Sequence, residues 1–331
     1  MKFVKVEKKR AQEIRKRLVD LELLDFSAAV EHDGDYVFFP VKSETGLQGF
    51  EVVERRPRRR ARRPHSLREA LAGKISDDEI ELLQSSYNVV GDIAVLELDA
   101  GLHKDKKLIG ETMLATFPAL KVVALKTREV SGEYRVPGVE VIAGENRTET
   151  IHREHGCVYK LDVAQAYFSP RLGHERMRVV GRITEGERVL VLFAGVGPYA
   201  ILAAKKTGAD VTAVELNPKA VDYLRWNVMK NKVRVNVIEG DARKVLPALG
   251  EFDRIIMPLP KQAETFLDVT LPALKKGGII HYYTFAHDPE EAVNGLREAL
   301  GKLGKKPQIL AAVECGSYSP CLSRMCVDFR L

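Results

Sequence analysis

Val189-Leu190-Val191-Leu192-Phe193-Ala194-Gly195-Val196-Gly197-Pro198-Tyr199-Ala200 reads as a buried strand, a glycine turn and a helix start. An unbroken apolar run of strand length suits a strand covered on both faces. Downstream the grammar repeats. Strands are expected at 189–193, 211–214, 235–238, 254–257 and 277–283. Helices are expected at 199–206, 218–231 and 263–274 between them. Alternating strands and helices predict a doubly wound parallel sheet, an α/β Rossmann-like fold, from about residue 151.

Two smaller α+β units precede it. In residues 1–64, Ile14, Leu18 and Leu21 have helical spacing within Ala11–Leu24, and 36–41 and 51–53 read as strands. That unit ends in ERRPRRRARRP, residues 54–64, with seven Arg and two Pro among eleven residues. Such a stretch cannot build a core. It reads as a basic tether or a phosphate-binding segment. In residues 65–150, Ser66–Glu69 suggests a capping box. Strands are expected at 91–98, 122–125 and 139–142, and a helix at 108–117 ended by Pro118.

The chain has 331 residues, 52 Lys plus Arg against 46 Asp plus Glu, and 45% hydrophobic residues. This excludes a disordered chain. No apolar run approaches the ~18 residues of a membrane span, and no secretory signal is visible. A cytoplasmic protein is expected. Asn plus Gln number only about a dozen, a balance typical of heat-adapted proteins. Four Cys make no disulfide framework. Cys315, Cys321 and Cys326 lack zinc spacing, so a core role or an occasional disulfide is expected. Cys157 reads as packing, and no metal is expected.

The glycine turn admits two cofactor readings. Gly195, Gly197 and Ala200 fit the GxGxxA dinucleotide fingerprint, with Glu215 about twenty residues on to hold a ribose. Three details favour S-adenosylmethionine instead. Pro198 removes an N–H that a pyrophosphate would want. Asp241, in Gly240-Asp241-Ala242-Arg243, can accept from an adenine amine. Met257-Pro258-Leu259-Pro260 forms a rigid turn at the sheet mouth, where ligands of such folds bind.

Residues 152–179, HREHGCVYKLDVAQAYFSPRLGHERMRV, followed by FAGVGPY, VELNP, GDAR, IIMPLPK and GGIIHYY, resemble the tRNA (guanine37-N1)-methyltransferases of archaea and eukaryotes. The resemblance is tight over about residues 120–331. It implies a monomeric enzyme with a tRNA-contacting N-terminal module, a middle module and a methyltransferase domain. It implies that Glu175 is the general base for guanine N1 and that Arg135 stabilises charge on the base oxygen, with Pro258 and Pro260 at the reacting rim. The implied cofactor set is Arg176, Phe193, Gly195, Gly197, Glu215, Leu216, Asp241, Ala242 and Pro258. The implied substrate set is Arg171, Tyr199 and Pro260. Without the resemblance, Glu175 reads as a helical surface carboxylate paired with Arg171 or Arg178, and Arg135 as a solvated charge.

The chemistry fits those roles. Guanine N1 is a poor nucleophile until a base takes its proton, and a guanidinium suits the negative charge that spreads to the carbonyl oxygen. Two residues depart from the family pattern: Val191 stands where an acid is common, and Pro258 where Asn is common. Loss of the Asn is shared with an archaeal subset that also methylates carbon 7 of 4-demethylwyosine, giving isowyosine. Tyr167 and Phe168 could stack near the site or be buried, and Trp226 reads as core. The Arg-rich linker, Lys104, Lys106, Lys107 and Lys160 are candidate RNA contacts. The alternatives are a dinucleotide-dependent oxidoreductase and a non-catalytic tRNA-binding protein.

Overall fold

The computed structural model describes residues 1–42, 49–57, 64–83, 87–131, 136–319 and 321–331, without the side chains of 128–131 and 136–137. It divides into two units, Met1–His65 and Ser66–Leu331.

In the first unit β1 (Lys2–Glu7), β2 (Glu31–Asp33), β3 (Tyr36–Pro40) and β4 (Glu51–Glu54) form a sheet of order β2-β3-β1-β4. The helix α1 (Ala11–Asp20) sends Ile14 and Leu18 into a core with Val4, Val6, Val37 and Phe39. Leu21, read above as part of that apolar stripe, lies beyond the helix end and is exposed. Much of the Arg-rich stretch, 58–63, lies outside the described residues.

The second unit begins with α2 (Leu67–Leu71) and α3 (Asp77–Leu82). Ser66 caps α2 through Oγ, which accepts from the Glu69 N–H at 3.1 Å. The full reciprocal capping box lies at Ser76 and Glu79, ahead of α3. The strand expected at 91–98 is the shorter β6 (Ile93–Leu96), and an unforeseen strand, β5 (Asn88–Val90), precedes it. Gly91 turns between them at φ +59, where a Cβ would sit 2.1 Å from Thr150 Oγ1. β7 (Val122–Ser131) and β8 (Val136–Gly144) complete a sheet of order β5-β6-β7-β8, covered by α4 (Lys106–Thr116). A hairpin follows, β9 (Glu149–Glu154) and β10 (Cys157–Asp162), turning at His155 and Gly156, both left-handed.

The remaining elements are α5 (Gly173–Val180), β11 (Arg188–Leu192), α6 (Pro198–Thr207), β12 (Asp210–Glu215), α7 (Pro218–Asn231), β13 (Asn236–Glu239), α8 (Ala242–Val245), β14 (Phe252–Met257), α9 (Leu267–Thr270), β15 (Leu274–Ala286), α10 (Pro289–Lys302), β16 (Gln308–Ser319) and β17 (Leu322–Arg330). Seven strands pair in the order β13-β12-β11-β14-β15-β17-β16. The first five are parallel; β17 and β16 close the edge as an antiparallel hairpin. Along β11, Val189 and Val191 join one core with α6 and α7, while Leu190 and Leu192 join the other with α8, α9 and α10. All four are fully buried, each contributing about 1.5–3 kcal/mol. Two covered faces are why this strand reads as continuous apolar sequence.

The helix expected over 263–274 is instead a 3-10 turn, the short α9 and a second 3-10 turn. Pro272 lacks the N–H that a continuous helix would need. Val90, Ile93, Val122 and Ala124 of the four-stranded sheet share a core with β11 and α6. Among the described residues no helix is long and apolar enough to cross a membrane.

Candidate active site

β11, β12, β13 and β14 are parallel neighbours, so their carboxyl ends lie along one edge of the sheet, and the glycine turn follows β11 there. Phe193 has φ +53, an uncommon conformation for a side-chain-bearing residue. Its ring meets Phe266 edge-on at 4.8 Å. Gly195 and Gly197 are also left-handed, at φ +56 and +91. Their surroundings differ. A Cβ on Gly197 would lie 2.2 Å from Leu224 Cδ1, so this glycine serves helix packing. A Cβ on Gly195 would meet only the Tyr167 carbonyl, at 3.6 Å, so this glycine leaves open space.

Glu215 ends β12 beside that space. Its carboxylate accepts from the Gly195 N–H at 2.7 Å and the Asn217 N–H at 2.8 Å. Burial pushes its carboxyl up from the ordinary value, and those backbone donors partly offset the rise. Asp241 caps α8, accepting from the Arg243 N–H at 2.9 Å through Oδ1. Leu216 is half-buried and Ala242 buried. Pro198 occupies the first turn of α6 behind a left-handed Gly197, which leaves a poor phosphate cradle. Two carboxylates with acceptor capacity to spare beside an open glycine suit the hydroxyls and amine of an adenosyl group.

Glu175 is buried on α5, not on the surface. Arg178 donates to it twice, at 2.6 and 2.8 Å. The Tyr283 hydroxyl donates at 2.6 Å and is itself 2.8 Å from the Tyr199 hydroxyl. Arg178 also donates to Asp328 at 2.6 Å, and Arg182 to the same oxygen at 2.5 Å. His281 Nδ1 lies 2.6 Å from Asp328, and its Nε2 lies 2.9 Å from Arg254, which pairs with Glu187. Burial pulls the His281 imidazole down, and Arg254 and Arg178 add to that against Asp328. A neutral ring donating to Asp328 and accepting from Arg254 satisfies both contacts. Burial alone would raise the Asp328 carboxyl, but His281 and Arg178 outweigh it and hold it well below the usual range. Cys326 completes a compact group with His281 and Asp328. Three guanidiniums already occupy those donors, so the group is a hydrogen-bonded core rather than a cation cage.

Arg176 is buried and spent on Glu154, at 2.7 and 2.6 Å, and on the Ser169 carbonyl at 3.1 Å. Those bonds tether the segment leading to Tyr167 and leave Nη1 alone for a cofactor. Tyr199 is buried and reaches Glu175 only through Tyr283, so its hydroxyl is not offered to a substrate. Arg171 is exposed ahead of α5. Pro258 and Pro260 are half-buried at the end of β14. There the Met257 carbonyl accepts from Leu259, and the Leu259 carbonyl from Ala263. Of the carbonyls in this turn expected to face a ligand, Pro258's therefore remains the least committed. Arg135 lies outside the described residues. Val191 is buried between Ala213 and Ile256 on neighbouring strands, where an acid would need a partner.

Lys104, Lys106 and Lys160 each pair with a carboxylate, Glu79, Glu140 and Glu149, which competes with phosphate; Lys107 is exposed. Trp226 is half-buried, not core; Lys160 and Lys230 lie over its ring at 5.7 and 5.9 Å. Tyr167 is exposed, while Phe168 packs on Tyr159 and beneath Arg176. All four cysteines are free. The sequence reading missed Tyr283 and Asp328 entirely. The tyrosine pair in Gly277–Tyr283 was a visible signal; Asp328 carried none.

A doubly wound sheet with an open glycine turn and acids ending its second and third strands defines a class I methyltransferase. The chain belongs to the TRM5/TYW2 methyltransferase family. The family's TRM5/TYW2 methyltransferase domain matches residues 150–308. The TYW2 N-terminal domain matches 67–148, and the tRNA methyltransferase 5 N-terminal domain matches 4–46. The chain is 40% identical to the tRNA (guanine(37)-N(1))-methyltransferase Trm5b of Pyrococcus abyssi, over 99% of this chain and 98% of that one. It is 31% identical to the tRNA (guanine(37)-N(1))/4-demethylwyosine(37)-methyltransferase Taw22 of Nanoarchaeum equitans, over 62% and 85%. The solved complex of aTrm5 and tRNALeu superposes with a TM-score of 0.79 at 32% identity, covering 99% of both chains. None of these three is an oxidoreductase.

Proposed function

We propose that this chain methylates N1 of guanosine 37 of tRNA, using S-adenosylmethionine. The observation that carries the reading is Glu175. It is a buried carboxylate tied by Tyr283 to β15, the strand whose Tyr282 pairs with Met257 at the Pro258 turn. Full-length similarity to an enzyme named for that reaction supports it.

Glu215 and Asp241 hold the ribose and adenine, and Gly195 leaves them room. When bound, S-adenosylmethionine supplies a methyl group already activated by a positive sulfur. Glu175 would accept the N1 proton as N1 bonds that methyl and the methyl–sulfur bond breaks, its electron pair returning to sulfur so that S-adenosylhomocysteine leaves, and Arg135 would meet the charge on the base oxygen. Arg178 suits a base that loses its charge. When Glu175 becomes neutral, the guanidinium keeps Asp328 at 2.6 Å, so no buried cation is left unpaired. Placement of the three parties supplies the rest.

The same pocket also methylates carbon 7 of 4-demethylwyosine in this proposal, because Pro258 offers no side-chain amide to discriminate bases. The bifunctional naming of the Nanoarchaeum relative supports that second step. The enzyme acts as a cytoplasmic monomer of three modules, 1–64, 65–150 and 151–331. Nucleoside mass mapping tests the proposal. Transcript tRNA should gain N1-methylguanosine, and tRNA bearing 4-demethylwyosine should gain isowyosine. Glu175→Ala should abolish the first product. Methylation elsewhere, or none by the wild-type chain, would refute it.

A further inference from the structure

Beyond the Pro258 turn, four side chains form a row that the site described above does not use. Lys261 Nζ lies 5.4 Å from the Tyr318 ring centroid. The Tyr318 and Phe285 rings stand 4.3 Å apart, tilted by 40°. The Arg324 guanidinium lies 5.7 Å from the Phe285 ring. Cations thus end the row and aromatic faces fill its middle. Phe285 and Arg324 are cross-strand partners on β15 and β17, and Tyr318 closes β16 beside them. A cleft of about 290 Å³ borders the row at Lys261 and Phe285, with Pro260 and Tyr282 also in its walls.

Two features mark the row as unfinished. Tyr318 is 46% exposed although stacked. Arg324 donates through Nη2 to the Tyr167 hydroxyl at 3.1 Å. Its Nε is shielded from solvent, with no hydrogen-bond partner among the described residues. A shielded N–H donor without an acceptor is uncommon and invites one. Among the residues that line the cleft Lys261 balances the one acid, Glu264, and Arg324 on the Phe285 ring adds a second cation to the row.

We propose that this row binds the nucleotide adjoining the methylated purine: its base stacks on Tyr318 and Phe285, and a neighbouring phosphate meets Lys261 or Arg324. The proposal rests on the tRNA reading above and adds a second site to it. Aromatic faces with flanking cations are the sequence-tolerant means of holding single-stranded nucleotides. Pro260 lines this cleft and also belongs to the proposed rim at the target base, so a residue one phosphodiester away is within reach. By gripping that neighbour, the row would hold the target base extruded.

The test uses an anticodon stem-loop with G37 intact, and two others with an abasic residue immediately 5′ or 3′ of it. Wild-type, Tyr318→Ala and Lys261→Ala chains are compared by initial rates, with melting curves and S-adenosylmethionine affinity as controls. Tyr318→Ala should raise KM for the intact loop by about tenfold with cofactor affinity unchanged. One abasic loop should cost the wild type a similar factor and cost Tyr318→Ala little more. Lys261→Ala should raise KM and flatten its dependence on salt. An unchanged KM in Tyr318→Ala, or losses that multiply for both abasic loops, would overturn the site while leaving the proposed function standing. No transfer to the intact loop by the wild-type chain would instead overturn that function.

Discussion

The cofactor side of the crevice is held by backbone, and the base side by side chains. Glu215 is fixed by the N–H groups of Gly195 and Asn217, and Asp241 by that of Arg243. Each of these contacts spans a turn or two neighbouring strands. Glu175 is fixed by Tyr283, 108 residues away, while Arg178 beside it is anchored on Asp328, 150 residues away. The first arrangement is rigid because the main chain is. The second is a neutral set of three guanidiniums and three carboxylates whose geometry depends on every member. Replacements on the two sides should therefore fail in different ways.

The sharpest contrast is in kinetics. Glu175→Gln should lower kcat by about 10²–10⁴-fold, the usual worth of a general base, and leave affinity for S-adenosylhomocysteine unchanged. Glu215→Gln should do the reverse, weakening that affinity with a smaller change in kcat at saturation. Calorimetry and single-turnover rates separate the two. Equal damage to both quantities by either replacement would erase the distinction between the sides.

Stability should differ next. Arg178→Met leaves the buried carboxylates of Glu175 and Asp328 without their shared partner, and such a break costs about 3–5 kcal/mol. Urea unfolding checks it; a loss below about 1 kcal/mol would mean that Arg182 and Tyr283 suffice. On the backbone side the effect depends on which glycine changes. Gly197→Ala forces a Cβ to within 2.2 Å of Leu224 Cδ1 in a left-handed conformation, a cost of about 2–3 kcal/mol. Gly195→Ala meets nothing closer than 3.6 Å. It should cost only about 1 kcal/mol of fold yet lose cofactor affinity, because the methyl enters the open space.

The same division decides what could be read from the chain. The glycine turn, Glu215 and Asp241 were legible because a strand, its turn and its acid follow one another in sequence. The parallel sheet was legible for the same reason. The environment of Glu175 was not. Its i+3 neighbour Arg178 was foreseen as a partner, but a surface pair was expected, because nothing local tells that β15 and β17 bury it. The antiparallel β16–β17 pair that brings Asp328 inward is a tertiary fact. Gly91 and Asp92 were taken as the start of a strand, although this pair forms the turn between β5 and β6. Trp226 was placed in the core because Lys160, which lies over its ring, is far away in sequence.

Glu154 joins the two sides, and its titration gives the smallest effect. It pairs with Arg176, which also holds the Ser169 carbonyl and so tethers the segment whose Tyr167 carbonyl lies over Gly195. Burial alone would raise its carboxyl, but His152 and Arg176 outweigh that and pull it from 4.5 to about 2. A pKa lower in the folded state means stability that is fully present above the unfolded value and lost as pH falls toward the folded one. The window is therefore between about pH 4.5 and pH 2. Glu154→Gln should lower Tm at pH 7 by about 2–4 °C, and the difference from wild type should shrink steadily as the pH falls through that window. Other low carboxyls, Asp328 among them, titrate alike in both proteins and cancel in the difference. A Tm gap that stays constant from pH 7 to pH 2.5 would mean the pair contributes shape rather than charge, and the loop over Gly195 would then belong wholly to the backbone side.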